Sequence, residues 1–208
     1  VTLKEQAIQA MFVAAVMCGI SSVGAAAPLM SPAQIRLTGD WTVSVTVPGP
    51  APVAAELKIP GPNVVAVAHE EYDKLPDFDA TTSAGWRKGV RLTGVVAEEC
   101  TVEGLLDPES LVVQAGPEPA AVGFRKGIDY EADLVSGCVG RLPQGGIAPD
   151  QPVYIDYRYA RMRIDSAVLC ADGRIVLKTG TPHAVMPEPP TLAPGETRTL
   201  RLSFAGSA

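Results

Sequence analysis

The residues able to do chemistry fall in a few short stretches. His69-Glu70-Glu71, in "AVAHEEYDK", joins an imidazole to two carboxylates. Those are the residue types of a metal ligand set, or of a general base with an orienting carboxylate. Glu98 and Glu99 stand side by side, and Arg163, Asp165 and Ser166 share the stretch "YARMRIDSAVLC". His183 follows a Gly-Thr-Pro, and Gly145-Gly146 is the glycine run that could cradle a phosphate.

Each set meets an obstacle in its own spacing. His69-Glu70-Glu71 ends an apolar stretch and opens a polar one, which predicts a solvated strand end, because charged side chains stay mostly exposed. Adjacent residues on a strand point to opposite faces, so Glu98 and Glu99 cannot act as facing carboxylates. Arg163 and Asp165, two apart, share a face and suit a lateral ion pair. Ser166 lacks the strand-to-helix elbow of a hydrolase nucleophile, and His183 has no serine to serve. Gly145-Gly146 precedes no helical pattern, and phosphate binding needs a helix N-terminus or a comparable nest of amides. The expectation is therefore no catalytic residue, no metal ligand, no cofactor-binding residue and no cofactor.

Cysteine usage points the same way. Apart from Cys18 near the start, the cysteines are Cys100, Cys138 and Cys170. An odd set allows one disulfide at most, and no spacing among them suits zinc. Small apolar cysteines inside strands are the simpler reading.

Composition limits what could position these groups. The chain has 208 residues, 47% hydrophobic but only 5% aromatic, so the core must be built from Val, Leu, Ile and Ala. Its 20 glycines and 19 prolines are spread along the chain as punctuation, which suits many short strands joined by tight turns. A formal charge of −6 disfavours a dedicated nucleic-acid binder, which needs a basic surface to displace counterions.

The first residues read "VTLKEQAIQAMFVAAVMCGISSVGAAAPLM". A short polar start, an apolar run and small residues at the end predict a signal peptide over 1–27, cleaved between Ala25 and Ala27. The apolar run is short for a membrane span. The mature chain is thus expected to be secreted or periplasmic, with no membrane contact after cleavage.

Beyond it, "DWTVSVTVPG" places Trp41, Val43, Val45 and Val47 on one face with the period of two that marks a half-buried strand. "AAELKI", "NVVAVAHEEY" and "VRLTGVVAEECTVEG" continue the strand pattern. Pro and Gly density at 116–119 suggests a boundary, dividing the chain into a β-sandwich-like domain over 28–116 and a second β-domain over 117–208. In "VYIDYRY", Val153, Ile155, Tyr157 and Tyr159 share one face, with Tyr154, Asp156 and Arg158 on the other. Asp172-Gly173 between apolar alternations predicts a hairpin pairing residues 163–170 with 174–178 through a two-residue type I′ turn. No helical periodicity follows the leader, so the class is all-β, in two small sandwich-like units of meanders and hairpins.

Two stretches resemble a known family. "LPDFDATTSAGWRKGVRLTGVVAEECTVEGLLDPESLVV" and the run from "KGIDYEADLVSGCVGRLPQGG" to "TGTPHAVMPEPPTLAPGE" resemble the region upstream of the catalytic domain in secreted bacterial SGNH/GDSL-type hydrolases. The second stretch is also similar to β-modules of phage tail and baseplate proteins. The family's Gly-Asp-Ser block is missing: in "TGDWT", Trp41 stands where the serine would be. Its Asp-x-x-His block is missing too, since "TGTP" precedes His183. The resemblance therefore implies a non-catalytic accessory region and transfers no catalytic residue. The implied partners are a catalytic hydrolase domain and a carbohydrate or cell-surface ligand. The resemblance to tail proteins implies an assembly module instead.

Overall fold

The computed structural model of the chain describes residues 32–95, 104–183 and 186–204. The expected signal peptide, Cys18, Glu98, Glu99 and Cys100 lie outside the described residues. The described chain is all-β, in thirteen strands. In order they are β1 (Gln34–Gly39), β2 (Thr42–Val47), β3 (Val53–Lys58), β4 (Asn63–Tyr72), β5 (Val90–Arg91), β6 (Val112–Gln114), β7 (Gly123–Phe124), β8 (Tyr130–Asp133), β9 (Cys138–Arg141), β10 (Val153–Arg161), β11 (Arg163–Leu169), β12 (Ile175–Lys178) and β13 (Thr197–Phe204). They form four antiparallel sheets, ordered β1-β2-β3, β4-β10-β6-β7, β5-β9-β8 and β12-β11-β13.

The apolar faces of these sheets close into two separate cores. Val43, Val45 and Leu57 from the first sheet, with Ile59 just after β3, meet Ala167 and Ile175 from the β12-β11-β13 sheet. The other core holds Leu75, Leu92, Tyr130, Val139, Ile155 and Tyr157, drawn from the two remaining sheets and their connections. The two β units are interleaved along the chain, because the strands on either side of the second unit build the first. Residues 116–119, where composition suggests a boundary, lie in the connection between β6 and β7, two strands of one sheet. That connection is closed by the Ala115 amide donating to the Val122 carbonyl at 2.9 Å.

The chain passes between the units twice, at Pro60-Gly61-Pro62 and at Met162, and one side chain fastens both crossings. Arg163 is 3% exposed and Asp165 is 0% exposed. The Arg163 guanidinium donates from Nε to Asp165 Oδ1 at 2.9 Å and from Nη2 to Asp165 Oδ2 at 3.0 Å. Its remaining donors reach the other crossing: Nη2 to the Pro60 carbonyl at 2.7 Å, and Nη1 to the Gly61 carbonyl at 3.1 Å and Asn63 Oδ1 at 2.8 Å. Asp165 Oδ1 also accepts from the Gly180 amide at 2.9 Å, which ties down the exit of β12. A buried ion pair survives only when its other donors and acceptors are met in this way.

Two local expectations need correction. Val90–Gly104 reads as one strand, but β5 ends at Arg91 and a 3-10 turn follows at Thr93–Val95. Leu92 and Val95, three apart, are both buried, at 0% and 4% exposure. That spacing belongs to a turn, not to alternation. The second correction concerns the β11–β12 hairpin. The strands pair as expected, from Ser166 opposite Lys178 to Leu169 opposite Ile175. The loop, however, is three residues long, 171–173, closed by Gly173 N–H to Cys170 O at 2.9 Å and Cys170 N–H to Arg174 O at 2.8 Å. Gly173 has φ of +84°, and Asp172 is not among the positive-φ residues. This is a type I turn with a left-handed residue after it. Asp172 contributes through its side chain, whose Oδ1 accepts from the Arg174 amide at 3.1 Å.

A Cβ at Gly173 would meet no heavy atom within 4 Å, so the cost of substitution there is torsional and not steric. Replacing Gly173 by Val should destabilise the fold by about 1 kcal/mol or more, because a β-branched residue is strained at positive φ. Urea unfolding measures this, and a variant with an unchanged midpoint would contradict the turn geometry.

Candidate functional site

The stretch His69-Glu70-Glu71 lies at the end of β4 with His69 and Glu71 exposed, as expected, but Glu70 is half-buried. In β4, Val65 and Val67 face the second core, and strict alternation would turn Glu70 and Tyr72 outward. A β-bulge intervenes: Val67 pairs with Tyr157 and Glu70 with Ile155, so Ala68 and His69 together stand opposite Asp156. His69 takes the left-handed conformation this requires, with φ of +56°. Its amide donates to Asp156 Oδ1 at 2.6 Å, and its Nδ1 lies 3.2 Å from the same oxygen. The extra residue reverses the parity of the strand and carries Glu70 and Tyr72 inward.

Glu70 there collects four donors: the Thr93 amide at 3.0 Å, the Thr93 hydroxyl, the Tyr72 hydroxyl at 2.7 Å and the Tyr157 hydroxyl. Burial pushes its pKa up, but the hydrogen bonds from Thr93, Tyr157 and Tyr72 outweigh it and leave the carboxyl below its ordinary value. The two phenols move the opposite way. Burial, then the bond to Glu70, raises both Tyr72 and Tyr157 well above the usual tyrosine value. The Tyr157 oxygen in turn accepts from the Gly94 amide at 2.8 Å. A Cβ at Gly94 would sit 2.9 Å from that oxygen and 2.5 Å from Tyr159 Cε1, so glycine is required for this approach. A carboxylate stabilised in its charged form, with four donors already on it, is a poor general base. It holds β4, β10 and the Thr93–Val95 turn together.

The other sequence candidates are placed as follows. Arg163 and Asp165 form the clasp already described. Ser166 is 0% exposed and accepts from Arg198 Nε at 3.0 Å, while Arg198 Nη2 donates to the Pro190 carbonyl at 2.5 Å. His183 joins Met162 in an isolated bridge, through its amide and the Met162 carbonyl at 2.9 Å, and its Nδ1 accepts from the Met186 amide at 2.9 Å. The Gly146 amide caps Asp129 Oδ1 at 2.8 Å, which makes Gly145-Gly146 a turn around a carboxylate of the chain itself. Cys138 and Cys170 are free thiols. Burial raises the Cys138 thiol pKa, which keeps it in the unreactive protonated form. Among the described residues, no group of three or more His, Cys, Asp or Glu could hold a metal ion.

One constellation went unread in the sequence. Trp86, in the 3-10 turn Gly85–Arg87, is 46% exposed. The Arg87 guanidinium carbon lies 4.3 Å from the centroid of its ring, and that of Arg91 lies 5.9 Å away. Beside them Lys88 is neutralised by Asp133, with Nζ to Oδ2 at 2.8 Å, and Arg91 pairs with Cys138 across β5 and β9. An exposed indole flanked by guanidiniums offers an apolar ring face and planar hydrogen-bond donors to a ligand. The signal was available in "SAGWRKGVR", where an aromatic residue interrupts a polar loop among basic ones.

The lowered Glu70 pKa gives the acid limb of stability a definite sign. A carboxyl with a folded-state pKa below its unfolded value stabilises the fold above the ordinary glutamate range. That contribution drains away as pH falls through the depressed folded value. Glu70→Gln should therefore be less stable than the parent near neutrality and lose less on acidification, as followed by urea midpoints from pH 7 to about pH 3. Tyr157→Phe should cost about 1–2 kcal/mol by removing a bond to a charged acceptor. Equal acid slopes for parent and Glu70→Gln would contradict the network.

No protein family, no curated protein and no solved structure matches the chain.

Proposed function

We propose that the chain is a non-catalytic binding module of an exported protein, the accessory region of an SGNH/GDSL-type esterase, and that it engages a carbohydrate or cell-surface ligand through the Trp86 face. The observation that carries this reading is the exposed indole with Arg87 and Arg91 beside it, in the connection between β4 and β5. Aromatic and arginine side chains dominate the energetics of recognition surfaces, and an indole offers a sugar ring a broad apolar face. The framework residues with catalytic chemistry are committed elsewhere. Glu70, Asp165 and Ser166 each hold hydrogen bonds that join one strand to another segment.

Depletion of the purified chain from solution by insoluble polysaccharides and bacterial cell-wall material tests the proposal. Trp86→Ala should weaken retention by about 30-fold, the equivalent of roughly 2 kcal/mol for an interface anchor, while its melting temperature stays close to that of the parent. Retention indifferent to Trp86, or ester hydrolysis by the purified chain that disappears in Glu70→Gln or His69→Ala, would contradict it.

A further inference from the structure

The guanidinium group has one edge, formed by Nε–H and one Nη2–H, on which two parallel donors match the two oxygens of a carboxylate. The chain contains that match in Arg163, whose Nε and Nη2 take Asp165 Oδ1 and Oδ2 at 2.9 and 3.0 Å. In Arg91 the same two nitrogens are buried, and neither has a hydrogen-bond acceptor among the described residues. Buried charged donors are costly to leave unmet, and each such group calls for a partner. Among the described residues the acidic groups nearby are engaged: Asp133 binds Lys88 Nζ at 2.8 Å and the Ser136 amide at 3.0 Å, and Glu70 holds the Thr93, Tyr72 and Tyr157 hydroxyls. Beside this buried edge stands the exposed ring of Trp86, 5.9 Å from the guanidinium carbon.

We propose that the Nε–Nη2 edge of Arg91 receives a carboxylate of the ligand, and that the ligand is an acidic sugar of the uronate type whose ring lies along Trp86. The inference rests on the binding-module reading and sharpens it to a charged substrate class. Planar two-oxygen geometry favours a carboxylate over a point charge, and the adjoining indole favours a ring over an extended chain. Both nitrogens are shut off from solvent, so binding opens the packing beside Trp86 and alters the fluorescence of the indole. The overall charge of −6 repels anions at long range, so affinity depends on contact and not on electrostatic steering.

The probes are an oligogalacturonate and its fully methyl-esterified counterpart, compared by calorimetry and tryptophan fluorescence on the whole chain. The acidic oligomer should bind at least ten-fold more tightly than the ester. Arg91→Met should bring that ratio close to one, Arg91→Lys should recover only part of it because the fork is gone, and Trp86→Ala should weaken both ligands alike. Without ligand, Arg91→Met should melt at or above the parent temperature, since the unmet donors leave with the side chain. Equal affinity for acid and ester would overturn the Arg91 assignment and leave the binding-module reading standing. Binding neither to these sugars nor to any insoluble polysaccharide or cell-wall material would overturn both. Tighter binding of polyglutamate than of the oligogalacturonate would replace the sugar by an acidic peptide and overturn the assignment. So would a lowered melting temperature for Arg91→Met with energetic coupling to Glu98→Gln or Glu99→Gln, because a carboxylate of the chain itself would then fill the edge.

Discussion

The fold depends on one buried ion pair. Arg163 and Asp165 lie where β10 has become β11, and the same guanidinium reaches the backbone of residues 60 and 61, where β3 gives way to β4. Desolvating two charges is expensive, and their mutual attraction alone does not reliably repay it. What makes the pair tenable is the completeness of its bonding: two bonds within the pair, three from Arg163 to the other crossing, and one from the Gly180 amide to Asp165. Apolar residues could fill the same space, but they would not dictate which two points of the chain meet. The pair gives the interleaved topology a specific register.

With the crossings fixed, β10 and β11 form a nearly continuous path from one core to the other, interrupted only at Met162. That path sets the frame for β4, which pairs with β10 from Tyr72 opposite Val153 to Asn63 opposite Arg161. The bulge at His69 then determines which side chains of β4 face inward. Glu70, half-buried, pins the Thr93–Val95 turn, the segment that follows the Trp86–Arg91 face by a few residues. Lys88 and Asp133 bind the same loop to β8. The exposed indole therefore stands on a loop restrained on both sides, which lowers the entropic cost of presenting it to a ligand.

Much of the strand grammar was legible in the sequence because it is local. Val43 and Val45 alternate with Ser44 and Thr46, Tyr157 and Tyr159 share parity with Val153 and Ile155, and Asp172-Gly173 marks a turn; all three depend on residues within one strand or hairpin. The interleaving was not legible, since the contact of Arg163 with Asn63 spans 100 residues and leaves no periodic trace. The bulge at His69 was legible in principle: Val65 and Val67 have odd parity, Tyr72 has even parity, and a strand that buries all three needs an inserted residue. Arg91 carried no local signal, because its unmet donors are a property of packing in three dimensions.

Native-state hydrogen exchange on the parent and Asp165→Asn tests most directly whether the ion pair fastens the two units into one cooperative structure. In the parent, the amides of Val45 in the first core and Ile155 in the second should exchange through a shared opening with equal free energies. In the variant they should separate, with Val45 losing protection ahead of Ile155. Two different opening energies in the parent, or unchanged protection of both amides in the variant, would contradict the role assigned to the pair.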